Sequence, residues 1–375
     1  MTLGIFLEKF TDTEIEKDPG LIASGLARDH VVTVFAHTSS PLAEQKFNLK
    51  RVSRTERDQA SFWRNSGIQV LIIYSWLSLR YSKMIQAASQ AGVKVILKLD
   101  SDGYLLFPVR PSYLRVFGLD KSLSAKLKHL IRLLEWSLFP RLISRRRIKQ
   151  IETCAAAIIE SPRAKENLLS SLDYWHQAGL GKKIKVIPNP IKFPALNLNA
   201  KRNRIVCIGR WDDARKNAGA LVKVLSQLKT DWEINIIGHD ALALGEKIKA
   251  NNPDISLTTD EKLSHTEIFQ RLASAKIFFA PSLAESFNLA AAEALVGGCS
   301  LVGGPLPSFQ YFSDEGRSGN LASDFSVDAL QTALENDLKK WTVNGYQAEN
   351  IAAHWQAELN LNKISSDISQ LINSL

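Results

Sequence analysis

The sequence predicts an α/β chain folded as two doubly wound parallel sheets, and three observations carry that expectation. Short apolar strands alternate with helical stretches, the alternation runs through two successive series, and an asparagine- and proline-bearing stretch with little periodicity separates the series. In the first series the strands fall at Leu3–Leu7, Val31–Phe35, Gln69–Tyr74, Val93–Leu99, Ala155–Ile159 and Ile184–Ile187, with helices at Gly20–Arg28 and Ser82–Ala91. In the second they fall at Arg204–Ile208, Trp232–Ile237, Ser256–Thr258, Ile277–Ala280 and Ser300–Val302. Its helices are Ala218–Leu228, Leu242–Ala250, His265–Ala273 and Leu289–Val296. The stretch Asn189–Ala200 reads as the linker, which puts a first domain at 1–195 and a second at 196–349. Beyond residue 320 the pattern carries little, except that Glu349–Leu375, with Trp355, reads as one or two helices.

Length and composition agree with two globular domains. The chain has 375 residues, and a hydrophobic share of 45% with 23% charge excludes wholesale disorder. The longest apolar runs, such as Ile68–Tyr74 and Lys276–Pro281, are strand-length and far short of the ~20 residues that span a bilayer. The first residues show no basic leader or long apolar stretch, and Cys154, Cys207 and Cys299 lie far apart, with neither disulfide nor metal-ligand spacing. The expected location is therefore a reducing cytoplasm. Net charge is +9, but residues 1–195 hold 30 basic and 17 acidic side chains against 17 and 21 in the remainder. The basic excess thus belongs to the first half, which favours an anionic partner: nucleic acid, anionic lipid or a phosphorylated small molecule.

In open α/β sheets ligands bind beyond the carboxyl ends of the strands, and with two such domains the cleft between them is the default site. Two constellations follow strands of the second series. Strand Arg204–Ile208 runs into Gly209, Arg210 and, six positions on, Lys216 at the start of a helix. An arginine fork and a lysine point charge beside free helix N–H groups suit a diphosphate, although two solvated cations would look the same. After strand Ile277–Ala280 comes Glu285-Ser286-Phe287-Asn288-Leu289, with Glu293 eight positions beyond Glu285 and on roughly the same helical face. Carboxylates so placed can accept vicinal hydroxyls, or serve only as a capping acid and a solvated face.

Together these residues resemble a known family. Glu285 to Glu293 looks like the Glu–seven residues–Glu signature of retaining glycosyltransferases of the GT-B fold, specifically glycosyltransferase family 4, the glycosyl transferases group 1. Lys185-Val-Ile-Pro-Asn-Pro resembles the close of that family's first domain. Ile208-Gly-Arg-Trp to Lys216-Asn resembles its phosphate motif, and Leu263 to Ser282 the helix and strand before the signature. Residues from about 184 to 305 match in order.

The resemblance implies GT-B architecture, two Rossmann-like domains facing each other across a cleft, with a C-terminal helix at about 350–375 crossing back onto the first. It implies transfer of a sugar from a nucleoside-diphosphate-sugar donor to a hydroxyl of a lipid-linked or polysaccharide acceptor, with retention, without a cofactor or metal. Arg210 and Lys216 would neutralise the diphosphate, and Glu293 would bind the ribose. Glu285 with the backbone from Ser286 through Phe287 and Asn288 to Leu289 would hold the sugar. Lys262 and Leu263 would lie at the nucleobase, and Gly209 and Gly20 near the phosphates. Gly20 is the sole counterpart of the family's usual glycine pair. Asp100 stands where many relatives place a histidine, and would orient or deprotonate an acceptor hydroxyl. His37 and the other histidines read as packing or surface residues.

Two further readings stay open. Asp100-Ser101-Asp102 has the form of the metal–diphosphate motif of the other large glycosyltransferase fold, or of an ordinary strand-ending turn. Lys121–Lys149 interleaves Lys126, Lys128, Arg132, Arg141, Arg145, Arg146 and Arg147 with Leu123, Leu127, Leu130, Leu134, Trp136, Leu138 and Phe139. It reads either as a basic amphipathic helix on an anionic membrane, at the inner face, or as a helix packed on its own domain with a solvated basic face. No nucleic-acid motif accompanies the charge, so nucleic acid is not the expected partner. The rivals to an enzyme are a sugar-nucleotide-binding protein with little catalysis and a basic nucleic-acid- or membrane-binding protein.

Overall fold

A computed structural model describes residues 1–39, 46–104, 115–116, 123–195, 197–198 and 201–375. The chain divides into two compact units, Met1–Arg110 with Leu133–Lys192 and Leu359–Leu375, and Pro111–Arg132 with Phe193–Glu358.

The first unit holds a seven-stranded parallel sheet, in the order β3-β2-β1-β4-β5-β6-β7. Its strands are β1 (Thr2–Phe10), β2 (Val31–Ser39), β3 (Asn48–Arg51), β4 (Val70–Tyr74), β5 (Lys94–Lys98), β6 (Ala156–Ile159) and β7 (Ile184–Val186). The central strands β4 and β6 are buried along their whole length, because helices cover both faces. One apolar cluster contains Phe6, Phe35, Trp63, Leu71 and Tyr81, and another contains Leu3, Ile5, Ile22, Val34 and Ile72. The second cluster also takes in Ile364, Ile368 and Ile372, so the terminal helix Leu361–Asn373 belongs to this unit. It packs on helix Asp18–Leu26, where a Cβ on Gly25 would lie 2.0 Å from the Ser365 hydroxyl. The preceding helix, Ala348–Glu358, stays in the second unit, so the crossing segment begins at Leu359.

The second unit holds a six-stranded parallel sheet in the order β10-β9-β8-β11-β12-β13. Its strands are β8 (Arg202–Ile208), β9 (Glu233–Ile237), β10 (Leu257–Asp260), β11 (Ala275–Ala280), β12 (Ser300–Gly303) and β13 (Gly319–Leu321). Asp337 is buried under this sheet and accepts from the Ser300 hydroxyl, Asn320 Nδ2 (2.8 Å) and the Tyr346 hydroxyl (2.8 Å). Burial pushes its carboxyl up to about 6 against the pull of those donors.

The expected alternation is present in both units, and every expected strand appears, with ends shifted by up to four residues. Two strands escaped the sequence reading. β3 is mostly exposed at a sheet edge, and β13 is three residues long, so neither shows a periodic apolar signal.

The strand order of each sheet reverses beside its first strand, and there the loops leave the carboxyl ends in opposite directions. In the second unit the ends of β8 and β9 come so close that backbone replaces side chain. Gly238 sits at φ +116°, and a Cβ there would lie 2.0 Å from the Gly209 carbonyl oxygen. Gly238→Ala should therefore cost about 2–4 kcal/mol, read as a lowered urea midpoint, because it adds left-handed strain to a backbone clash.

Candidate active site

In the second unit the expected residues lie on three loops that follow β8, β10 and β11. After β8, Gly209 N–H donates to the Ile237 carbonyl (3.1 Å), and Trp211 turns inward to donate its indole N–H to the same oxygen (3.1 Å). Trp211 is buried, which leaves its neighbour Arg210 facing outward with a 74% exposed side chain, 3.7 Å from Asp212. A one-turn 3₁₀ segment, Ala214–Lys216, is capped by Asp213 and ends at Asn217 in the left-handed region. Helix Ala218–Gln227 starts from there.

Two backbone and side-chain ties then join this loop to the one after β11. Leu283 N–H donates to the Arg215 carbonyl (2.8 Å), and Asn217 Nδ2 donates to the Pro281 carbonyl (3.2 Å). The result is that Lys216 Nζ meets Glu285 Oε1 at 2.7 Å, both side chains partly buried. Arg210 and Lys216 were expected to converge on one anion. In the structure each pairs with a carboxylate of its own, an exposed one for Arg210 and a sheltered one for Lys216.

Glu285 lies outside the following helix, which begins at Leu289. The expected common helical face for Glu285 and Glu293 therefore does not arise from helix geometry. Asn288, at φ +67°, caps that helix by accepting from Ala291 N–H (3.1 Å). Phe287 is buried edge-to-face against Phe312 (4.9 Å), so its side chain packs and only its backbone faces the loop. Ser286 and Leu289 are both half-buried.

Glu293 sits inside the helix and receives His265 Nε2 at 3.1 Å. His265 opens helix His265–Ser274, just past Lys262 (exposed) and Leu263 (half-buried), and a Ser264–Glu267 capping box fixes that start. The sequence reading gave His265 only a packing or surface role. Its place at the first turn of a helix that follows the β10 loop was the available signal.

In the first unit the polar residues gather at the carboxyl ends of β5 and β6. Glu160 follows β6 directly and has no solvent exposure. Its carboxylate accepts from Lys98 Nζ, from Asp100 N–H (3.0 Å) and from Ser101 N–H (3.1 Å). Lys98 also donates to Asn189 Oδ1 (2.6 Å), which ties in the chain after β7. Burial alone would lower the Lys98 ammonium, but Glu160, Asp18 and Asp100 outweigh it and hold it above the usual lysine range. Asp18 lies beside Tyr74, and burial pushes its carboxyl up to about 7 against the pull of Lys98.

These contacts hold Asp100 at φ +44°, a left-handed conformation that a non-glycine residue adopts at a cost. Its Oδ2 accepts from the indole N–H of Trp76 (3.1 Å), and Trp76 itself sits at φ +46° in the loop after β4. Strain gathered on two neighbouring strand-end loops is a mark of function. Trp76, Lys98 and Glu160 were all missed from the sequence, although each stands at or directly after the end of an apolar strand.

The other candidates fare differently. Gly20 is the third residue of helix Asp18–Leu26, and a Cβ there would meet the Ile15 carbonyl at 2.3 Å, which gives the glycine a packing reason. Asp102 is buried and accepts from Tyr104 N–H (3.3 Å), while Asn167 donates to its carbonyl (2.9 Å), as in a strand-ending turn. Among the described residues no three His, Cys, Asp or Glu side chains form a metal-holding group. His37 accounts for itself by packing, edge-on to Phe6 and bonded through Nδ1 to the Val52 carbonyl (2.6 Å).

The basic segment forms helices Leu123–Leu138 and Pro140–Thr153. Lys121 lies outside the described residues, as do the side chains of Arg132 and Trp136. Leu123, Leu127, Leu130, Leu134 and Leu138 recur every three or four positions and are exposed, Leu123 by 83% and Leu138 by 68%. The apolar stripe is therefore open to solvent. No described helix is long and apolar enough to cross a membrane.

Comparison with known proteins agrees with this picture. Residues 202–340 match the family described as Glycosyl transferases group 1. A MMP alpha-(1->4)-mannosyltransferase of Mycolicibacterium hassiacum is 27% identical over 175 residues, 42% of this chain and 41% of that protein, so the match spans under half of its length. The sucrose-phosphate synthase of Thermosynechococcus elongatus superposes with a TM-score of 0.67 at 16% identity, over 100% of this chain and 98% of that one. HepE of Anabaena, in complex with UDP and glucose, superposes with a TM-score of 0.65 at 12% identity over the whole of both chains. The resemblance read from the sequence is borne out at this level: the fold is that of the GT-B glycosyltransferases.

Two stability outcomes follow from the first-unit cluster. Lys98→Met leaves the Glu160 charge buried without its cation and should cost about 3–5 kcal/mol in urea denaturation, whereas Lys98→Met/Glu160→Gln should cost less. Equal losses would show that charge is not what binds the pair. Asp18 keeps its proton in the native state between its unfolded value of 3.8 and about 7. Its contribution is full below 3.8 and is lost as pH rises through 7, so Asp18→Asn should flatten the fall in urea midpoint between pH 5 and pH 8.

Proposed function

We propose that the chain is a retaining glycosyltransferase that moves a hexose-type sugar from a nucleoside-diphosphate donor to a hydroxyl of a lipid-linked or polysaccharide acceptor, without a metal. The observation that carries this reading is the meeting of Lys216 and Glu285 at 2.7 Å, on two loops tied to each other at the carboxyl ends of β8 and β11. A cation for the departing phosphates and a carboxylate for the sugar hydroxyls are then held side by side before any ligand arrives. Charge placed in advance, where charge will develop, supplies much of the rate enhancement of many enzymes.

Each side chain has a task in that reading. Arg210, exposed at the surface, closes on the diphosphate after binding, while Lys216 supports its growing charge as the bond to the sugar breaks. Glu293, oriented by His265, takes the ribose hydroxyls. Glu285 and the backbone from Ser286 to Leu289 hold the sugar, and the loop at Lys262 and Leu263 meets the base. Asp100, held by Trp76 and by its own N–H on Glu160, orients the acceptor hydroxyl. Departure and attack on the same sugar face would retain configuration, so positioning matters more than a protein nucleophile. The names of the similar proteins, a mannosyltransferase and a chain complexed with UDP and glucose, support a nucleoside-diphosphate sugar as donor.

The acceptor side of the proposal rests on the exposed leucine stripe of helix Leu123–Leu138 and the cations around it. A basic amphipathic helix with an unpacked apolar face suits an anionic bilayer, which supports reading the chain as a peripheral protein where lipid-linked acceptors are found.

Calorimetry against uridine, guanosine, adenosine and thymidine diphosphate sugars should find one donor class that binds, and incubation with it should release the nucleotide. Binding without any turnover would favour a sugar-nucleotide-binding protein. Lys216→Ala should lower kcat about 10²–10³-fold with an unchanged circular dichroism spectrum. Product of inverted configuration, or activity lost to a chelator and restored by Mn²⁺, would overturn the mechanism.

A further inference from the structure

One cavity of the first unit is used by none of the residues above. It has a volume of about 550 Å³ and lies between helix Pro140–Thr153 and the turn that follows helix Pro162–Tyr174. Arg141, Arg145 and Lys149 line one wall. Their spacing of four puts all three on one face of the helix. The opposite wall carries Trp175 and His176, and His176 is held at φ +54°.

The charge of this cavity is unbalanced. Among the described residues Glu152 is its only acidic lining residue, and it faces Lys149 at 3.2 Å. Arg141 and Arg145 have no ion-pair partner among the described residues. Among the described residues the buried Trp175 indole N–H has no hydrogen-bond partner. Two guanidinium forks on one wall of a cavity suit a phosphate group.

The residues next to Arg141 in the chain bear on where that phosphate comes from. Leu138, Phe139 and Leu142, immediately beside Arg141 in the chain, are exposed by 68%, 55% and 48%. A soluble phosphate ester would leave these apolar side chains in water, and a nucleic acid would have no use for them. A phospholipid satisfies both halves, with its headgroup phosphate among the arginines and its acyl region over the apolar side chains. We propose that this cavity seats the phosphate of an anionic phospholipid headgroup. The inference rests on the peripheral-membrane reading above and adds to it a defined headgroup site, where that reading needs only diffuse charge.

The test separates the two. The full chain is floated with phosphatidylcholine vesicles carrying either phosphatidylglycerol or oleate, matched in zeta potential, so that surface charge is equal and only the first offers an anionic phosphodiester. Retention on phosphatidylglycerol should exceed that on oleate by about tenfold, the effect of two charge-assisted contacts. Arg141→Gln/Arg145→Gln, both exposed positions, should erase that preference while leaving the oleate binding that other cations provide. Equal retention on both vesicles, or a preference that survives the double variant, would overturn the headgroup site and leave the membrane reading standing. No retention on either would overturn both. Millimolar glycerol phosphate, a soluble analogue of the headgroup, should compete for the cavity and release the chain from phosphatidylglycerol but not from oleate; no release from either would count against the headgroup site.

Discussion

The polar architecture of the first unit depends on one buried carboxylate. Glu160 has lost all contact with water, and a carboxylate so placed is tolerated only if cations and N–H groups replace its hydration. The fold supplies one cation and two backbone donors, and each does something besides satisfying Glu160. Lys98 reaches on to Asn189, which joins β5, β6 and the chain after β7 at one point. The N–H groups of Asp100 and Ser101 are held in the direction that turns the Asp100 side chain back toward Trp76. The strained φ of Asp100 is thus a consequence of the hydrogen bonds its own backbone must make. Three acids around one lysine also explain why Asp18 holds its proton: a third full negative charge there would have no counterpart.

The second unit ties its strand-end loops together in a different way. Lys216 and Glu285 are partly rather than fully buried, and the loops that carry them are fastened independently by Leu283 N–H on Arg215 and by Asn217 on Pro281. Because other contacts hold the geometry, the ion pair is free to exchange partners. In the proposed reaction an anion reaching Lys216 would take over a cation whose position is already fixed, and Glu285 would be released toward hydroxyl groups. A deeply buried pair such as Lys98–Glu160 could not do this without exposing an uncompensated charge. Depth of burial therefore separates the pair that maintains structure from the pair suited to a ligand.

The same distinction explains what was legible in the sequence. The parallel sheets, the order of elements and the loops carrying Arg210, Lys216, Glu285 and Glu293 follow from apolar strands and the polar residues after them. Edge strand β3 and short β13 were invisible because exposure and brevity erase periodicity. Glu160 and Lys98 were legible in principle, since each stands at a strand end, but nothing in a linear sequence says that two residues 62 positions apart share one buried site. Trp76 and His265 were missed for a related reason. Aromatic and imidazole side chains usually pack, and only their contacts, one to Asp100 and one to Glu293, reveal that these orient a carboxylate. At Gly20 the structure adds a packing reason for glycine beside the expected phosphate approach, since a Cβ there would meet the Ile15 carbonyl.

The basic half of the chain can now be read as a matter of local density rather than of net charge. At physiological salt, charges more than about 8 Å apart are largely screened, so an excess spread over half the chain attracts little. Arg141, Arg145, Arg146 and Lys149 fall within nine consecutive residues, directly after exposed Leu138 and Phe139. Cations act at a distance of a Debye length and apolar side chains only on contact, so in the proposed membrane reading the first would gather the chain at an anionic surface and the second would slow its escape. One short amphipathic segment gives reversible attachment, weaker than a spanning helix. The proposed transfer to a lipid-linked acceptor would require such reversibility, because each cycle would exchange a soluble donor as well as a bilayer-bound acceptor.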